Sequence, residues 1–402
     1  MNNATPLQLQ QQIKKVSGMA FYKKKLEDGN IRPEDMLTLD DFDKIPFTTP
    51  AELFDELKKP PENCSLFPEG VTRINFSPSG SELYPVYHTK NDLDLMHRVC
   101  GRSLADAGVT KRDICAVTFG YHLFVAGLFY QSQLEAYGAK VMPLGPGESE
   151  RAVKLINEWG VTVLISNPTF AMKLAAMGVP TVNILFVGGE PFTSVKGYSQ
   201  KVREAFGRDI AIIDSYSMAA CLPIARSCRY EAGLHIMDEF VYAEVIDPVS
   251  GERLPFGKKG ELVLTHLAKD AAPLLRYRTG DLTILEKGKC GCGREYTLPK
   301  SIIGRTDEML KIKGVKFWPS QVGTVLRAFT GATGNYRVVV EEENGVDVLS
   351  LVIETARPLD PGIEELSKRL KQETLLAFNR ITTTEHLEQG APVIDRRKGR
   401  KF

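Results

Sequence analysis

The sequence predicts an α/β protein: a large N-terminal core of parallel α/β sheets plus a β region, followed by a smaller α+β C-terminal domain. Three observations predict it. From Lys111 onward short apolar strands alternate with helical stretches, and from about Glu239 the texture changes to short β segments. The C-terminal quarter then combines two strands, a hairpin turn and a helix.

The elements follow in order. Leu7 to Lys25 reads as one helix within a helical N-terminal region. Ile114–Phe119 is an apolar strand ending at Gly120, Phe124–Ala136 a helix, and Lys140–Leu144 the next strand. Glu150–Trp159 is an amphipathic helix, Val161–Ser166 a strand, and Ile184–Val187 and Ile210–Ile213 two more. Apolar strands interleaved with helices make a mostly parallel sheet buried on both faces. Ligands of such sheets gather at loops beyond the C-terminal strand ends. Here those loops are Gly120-Tyr121-His122, Gly188-Gly189-Glu190-Pro191 and Asp214-Ser215-Tyr216-Ser217. Val241–Ile246 and Glu261–Thr265 are strands flanking the turn at Asp247–Gly251. Tyr336–Glu341 and Val348–Ile353 flank the hairpin signal Glu343-Asn344-Gly345, and helix Gly362–Phe378 follows. The domain boundary falls near Gly304 to Asp307, dividing the chain into 1–303 and 304–402.

Composition narrows the function classes. The 402 residues are 43% hydrophobic and 25% charged, which excludes collagen-like, coiled-coil and disordered chains. Fifty-one basic residues against fifty acidic ones argue against nucleic acid as a partner. No apolar run reaches the ~20 residues of a membrane helix, and Met1–Pro6 leads into a Gln/Lys-rich segment, so a cytoplasmic protein is expected. Seven cysteines, an odd count, do not make a disulfide framework in that compartment. Cys290-Gly291-Cys292, with Cys228 and His235 upstream, is a legitimate closed zinc set; reduced core cysteines and a core histidine are the alternative.

The most specific stretch is Leu275-Arg276-Tyr277-Arg278-Thr279-Gly280-Asp281, followed downstream by Gly304-Arg305-Thr306-Asp307 and a Lys-rich segment to Gln321. The pair resembles the adenylate-forming (acyl-CoA synthetase) superfamily, specifically its phenylacetate–CoA ligase branch. Pro46-Phe47-Thr48-Thr49, Phe119–Gly127, Gly188–Pro191 and Gly233-Leu234-His235-Ile236 extend the resemblance over most of the chain. It implies an adenylate-forming core with a mobile C-terminal domain turning on a hinge near Asp307. It implies ATP, AMP, Mg2+ and coenzyme A as cofactors, and a carboxylic acid activated as its acyl-adenylate before transfer to a thiol.

The resemblance also implies site residues. Asp281 would hold the ribose and Arg305 contact the nucleotide. Gly189, Glu190, Pro191, Asp214, Ser215 and Tyr216 would form the nucleotide wall, with Ser79 and Gly80 in the phosphate loop. Tyr121, His122 and Phe124 would line the acyl pocket, where His122 either bonds a polar substituent or narrows the space. Cys228, His235, Cys290 and Cys292 would bind a structural Zn2+.

Three departures fall on groups that handle ATP phosphates. Tyr84 stands at the phosphate-loop Lys, Ala220 at the magnesium-binding Glu, and Arg400 at the C-terminal catalytic Lys, leaving Lys398 and Lys401 as neighbouring candidates. The lead expectation is a ligase for a small aromatic carboxylic acid. The departures support a runner-up, an acyltransferase from an aryl-CoA thioester to an acyl-carrier protein, and beyond it a nucleotide or acyl-CoA-binding protein without turnover. A homodimer is expected by the same resemblance.

Overall fold

The computed structural model describes residues 6–79, 82–306, 310–312, 315–343, 346–388, 390 and 392–396. They fall into two compact units: residues of 1–193, 198–279 and 283–302 in the first, and of 194–197, 280–282 and 303–402 in the second.

The first unit is organised by a nine-stranded sheet. In chain order its strands and the others of this region are β1 (Val71–Ser79), β2 (Glu82–Thr89), β3 (Ile114–Val117), β4 (Lys140–Pro143), β5 (Val163–Ser166), β6 (Ile184–Gly188), β7 (Ala211–Met218), β8 (Cys221–Ser227), β9 (Leu234–Ile236), β10 (Val241–Ile246), β11 (Lys259–His266), β12 (Tyr277–Ile284), β13 (Glu286–Lys287) and β14 (Tyr296–Leu298). The spatial order is β13-β14-β9-β8-β7-β6-β5-β3-β4. Strands β4 to β7 are parallel, as expected, but from β7 to β13 the pairing is antiparallel. The reason is the two-residue turn Ala219-Ala220, because a connection that short can join only antiparallel strands. It also draws Asp214-Ser215-Tyr216, expected in a loop, into the end of β7.

Period-two alternation sorts the parallel strands into two cores. Val117, Ile165, Phe186 and Ile213 enter one cluster, with Val99 and Leu104 of helix Lys90–Asp106 and Phe129 and Leu134 of helix Val125–Tyr137. Ala116, Leu164, Leu185 and Ile212 enter the other, against helices Ser149–Glu158, Pro168–Ala176 and Tyr198–Phe206. The N-terminal helix differs from expectation: it is two helices, Pro6–Val16 and Ala20–Asp28. Gly18 is a poor helix former, and the Ser17 hydroxyl turns back to donate to the Lys14 carbonyl at 2.8 Å.

Pro46-Phe47-Thr48-Thr49 is stitched to the start of β12. Thr48 N donates to the Arg276 carbonyl (2.9 Å), Arg278 N donates to the Thr48 carbonyl (2.9 Å), and Thr48 Oγ1 donates to the Leu275 carbonyl (2.7 Å). Thr49 caps helix Pro50–Leu57 in a reciprocal box with Glu52. In the second unit, strands Thr330–Glu343 and Val346–Asp360 pair antiparallel and are longer than expected; Asn344 and Gly345 lie outside the described residues. Helix Ile363–Thr374 stops short of Phe378, ending where Leu375 turns left-handed at φ 59°. Leu366 and Leu370 of that helix pack with Val338, Val340, Leu349 and Leu351 of the strands.

Candidate active site

The C-terminal ends of β3, β6 and β7 converge on one face of the first unit. After β3 the chain passes through Phe119–Phe124 into helix Val125–Tyr137. A Cβ on Gly127 would lie 2.4 Å from the Gly120 carbonyl, so glycine there lets the helix start against the loop. Phe119 stacks on Tyr130 of that helix, with ring centres 5.4 Å apart and an 11° interplanar angle.

The expected pocket residues have unlike surroundings. Tyr121 is half-buried, and its hydroxyl has no hydrogen-bond partner among the described residues. Burial pushes its pKa upward. His122 and Phe124 are exposed, and Phe124 forms a parallel bridge with Phe76 of β1.

The acidic groups of the expected nucleotide wall brace loops. Glu190 accepts from Thr169 Oγ1 at 2.7 Å. Asp214 accepts from Thr193 Oγ1 (2.6 Å) and Thr193 N (3.1 Å), and burial raises its pKa. Its carboxylate therefore fastens the chain after Gly188-Gly189-Glu190-Pro191 to β7. A register shift between Tyr216 and Met218 bends the end of β7 where half-buried Tyr216 sits. Bulges of this kind re-aim side chains beside active sites.

In the second unit Asp281 lies opposite Arg305 across an antiparallel pair. Arg305 Nη1 donates to Asp281 Oδ1 at 2.7 Å. Gly280 (φ +73°) leaves space for this arginine, since a Cβ there would fall 2.9 Å from Nη2. Gly80, Asp307, Lys398, Arg400 and Lys401 lie outside the described residues, as does the side chain of Ser79.

Two departures are visible. Tyr84 places its ring edge-on to Phe54 at 5.6 Å, and Lys58 Nζ lies 4.1 Å from the Phe54 ring centre. Ala220 sits partly buried in the β7–β8 turn, where it offers a cation no side-chain oxygen.

The cysteine cluster converges. Sγ of Cys228 is 3.7 Å from Sγ of Cys290, and His235 Nε2 is 3.4 Å from Sγ of both Cys228 and Cys292. All four ligand atoms lie within 4.8 Å of one another. A tetrahedral zinc with Zn–S of about 2.3 Å and Zn–N of about 2.0–2.1 Å places its ligand atoms roughly 3.5–3.8 Å apart. The donor set and these three separations fit that ion.

Sequence reasoning missed Arg226. It lies in the wholly buried strand β8, and its guanidinium donates to Ser215, Ser103 and Gln133. A charge inside an apolar run, Cys221–Ser227, was the available signal.

A large α/β first unit followed by a smaller α+β second unit is the layout of the adenylate-forming enzymes. The structure matches that of 2-hydroxyisobutyryl-CoA ligase in the postadenylation state with TM-score 0.81, covering 97% of this chain and 88% of that one at 24% identity. The model described as the AMP-binding enzyme C-terminal domain matches residues 314–388. The phenylacetate-coenzyme A ligase of Thermus thermophilus is 37% identical over 361 residues, 86% of this chain and 80% of its own. That of Pseudomonas putida is 31% identical over 390 residues, 92% and 85% of the two chains. The chain belongs to the phenylacetate–coenzyme A ligase family. Among the described residues no helix is long and apolar enough to cross a membrane.

Proposed function

We propose that the protein joins a compact aromatic carboxylic acid to coenzyme A through an acyl-adenylate. The observation that supports this most is the likeness to phenylacetate-coenzyme A ligases over four-fifths or more of their length, together with the retained Asp281–Arg305 pair. In the first half-reaction a carboxylate oxygen attacks the α-phosphorus of ATP and pyrophosphate leaves. In the second, the coenzyme A thiol attacks the acyl carbon and AMP leaves. A carboxylate is a weak nucleophile and the phosphate it meets is anionic, so preorganised positive charge is the main requirement.

Each expected site residue then has a task. Asp281 accepts from the ribose hydroxyls and Arg305 steadies it. Tyr216 lies against the base, and Gly189, Pro191 and Ser215 line the nucleotide wall, which Glu190 and Asp214 hold in shape. Tyr121, His122 and Phe124 face the acyl group, and the unsatisfied Tyr121 hydroxyl is the polar contact there. Lys398 or Lys401 approaches the α-phosphate from the tail. The functional division runs 1–303 and 304–402 with the hinge near Asp307. Mg2+ arrives with ATP, and Ala220 gives it no ligand. Zn2+ held by Cys228, His235, Cys290 and Cys292 would be structural, with no open position for chemistry.

Tyr84 and Ala220 favour a second reading, transfer of an aryl acyl group from coenzyme A to a carrier-protein thiol. Acid-dependent ATP–pyrophosphate exchange over a panel of aryl acids separates the two. Exchange with any one of them upholds the ligase. Silence from folded protein, with acyl transfer from an aryl-CoA thioester, upholds the second.

A further inference from the structure

Arg226 is 2% exposed and has no carboxylate within salt-bridge distance among the described residues. Its donors go to neutral acceptors alone: Nε to Ser215 Oγ (3.1 Å), Nη1 to Ser103 Oγ (2.9 Å) and Nη2 to Gln133 Oε1 (3.0 Å). The rings of Phe186 and Tyr130 lie 5.3 and 5.6 Å from its guanidinium carbon. An arginine cannot shed its proton, and a buried charge without a counter-ion is costly to keep.

The position of this charge gives it a use. Arg226 pairs with Ser215, and Ser215 pairs with Gly188, so Arg226 stands on the strand beside β7, level with the end of β6. Tyr130, bonded to Ser215, reaches the same point: its hydroxyl is 3.5 Å from where a Gly188 Cβ would be. Ser215 and Tyr130 thus separate Arg226 from the face where Gly188-Gly189 and Tyr216 converge. We propose that Arg226 is a positioning residue whose uncompensated charge makes this face selective for an anionic guest, the phosphoryl group of the bound nucleotide. From within the sheet it supplies part of the positive potential that a lysine at Tyr84, or a magnesium held by a glutamate at Ala220, would provide. Gln133 and Ser103 hold the guanidinium in place without neutralising it.

The inference rests on the nucleotide-activating reading above, and the test separates the two. Calorimetric titration of the full chain with AMP and with adenosine measures the discrimination that the phosphate charge produces. Gln133→Glu keeps the shape of the acceptor and sets a carboxylate against Nη2, so it neutralises the charge without emptying its site. Arg226→Met removes the charge, and Arg226→Lys restores it without the planar fork. Gln133→Glu and Arg226→Met should weaken AMP on the order of tenfold while leaving adenosine within about twofold, as expected for losing one partly screened charge. Arg226→Lys should recover most of the loss. Should Arg226→Met fail to fold, Gln133→Glu decides alone. An unchanged AMP-to-adenosine ratio in Gln133→Glu, or equal losses for both ligands, overturns the inference while the nucleotide reading stands. A wild-type chain that binds neither ligand overturns both.

Discussion

Two arginines are sealed inside the first unit and are held by opposite chemistry. Arg276 is clamped by Glu244, with Nη2 to Oε1 at 2.7 Å and Nε to Oε2 at 3.3 Å, and it donates to the Ile45 carbonyl at 2.8 Å. Phe47 lies 4.2 Å from its guanidinium carbon. Arg226 is equally buried but touches hydroxyls, an amide and two rings. The first arginine completes its own electrostatics inside the chain and fastens Pro46–Thr49 to β12. The second leaves its electrostatics open, beside strand ends where a ligand is expected. A buried charge with a built-in partner is a structural clamp; one without a partner projects a field.

Stability measurements can break or sharpen that contrast. The largest effect is expected for Glu244→Gln, which leaves Arg276 with Asp43 Oδ1, 3.8 Å away, as its remaining carboxylate. Urea denaturation should show a loss of about 3–5 kcal/mol, and a loss below about 1 kcal/mol would remove the distinction between the two arginines. The thiol cluster poses the same question with the sign reversed, since crowded cysteines ionise together only around a cation. Cys292→Ser should abolish stoichiometric zinc in metal analysis and cost at least ~2 kcal/mol; full stability without metal would leave the cluster as reduced core cysteines.

Histidines sharpen the comparison because they can lose their charge on burial. Burial, reinforced by Lys269, pushes His88 down to about 3 and His266 well below its ordinary value. Below about pH 6.5 the unfolded chain gains protons that these imidazoles refuse in the fold. Stability should therefore fall as pH drops from 6.5 towards their folded values, by about 1.4 kcal/mol per pH unit for each imidazole. Melting curves between pH 7.5 and 5 test this, and a flat profile would contradict neutral burial. The smallest effect is expected for Arg226→Met. Lost hydrogen bonds and relieved desolvation should nearly offset, leaving stability within about 1 kcal/mol of wild type. A loss as large as that of Glu244→Gln would make Arg226 another clamp.

Parts of the candidate site stand out in the sequence because their residues are close together or carry an unusual pattern. Cys290 and Cys292 announce a cluster, and their meeting with Cys228 and His235 follows the expected set. The stretch ending at Asp281 is specific in itself. Other features were not legible. The partners of Asp214 and Glu190 are among them: their carboxylates accept from Thr193 and Thr169, about twenty residues away, which no local pattern marks. The two-residue turn at Ala219-Ala220 reverses the sheet, and a reader counting apolar strands sees no difference between parallel and antiparallel.

The sequence by itself determined the α/β class, the strand-and-helix alternation and the family, because hydrophobic period and local motifs are properties of neighbours along the chain. Tertiary structure alone decided which buried charge has a counter-ion. Glu244 reaches Arg276 across 32 residues and Gln133 reaches Arg226 across 93. Whether an arginine is a clamp or a source of field is set by which side chain the fold brings within about 3 Å, since in a poorly screened interior that single neighbour outweighs everything nearby in sequence.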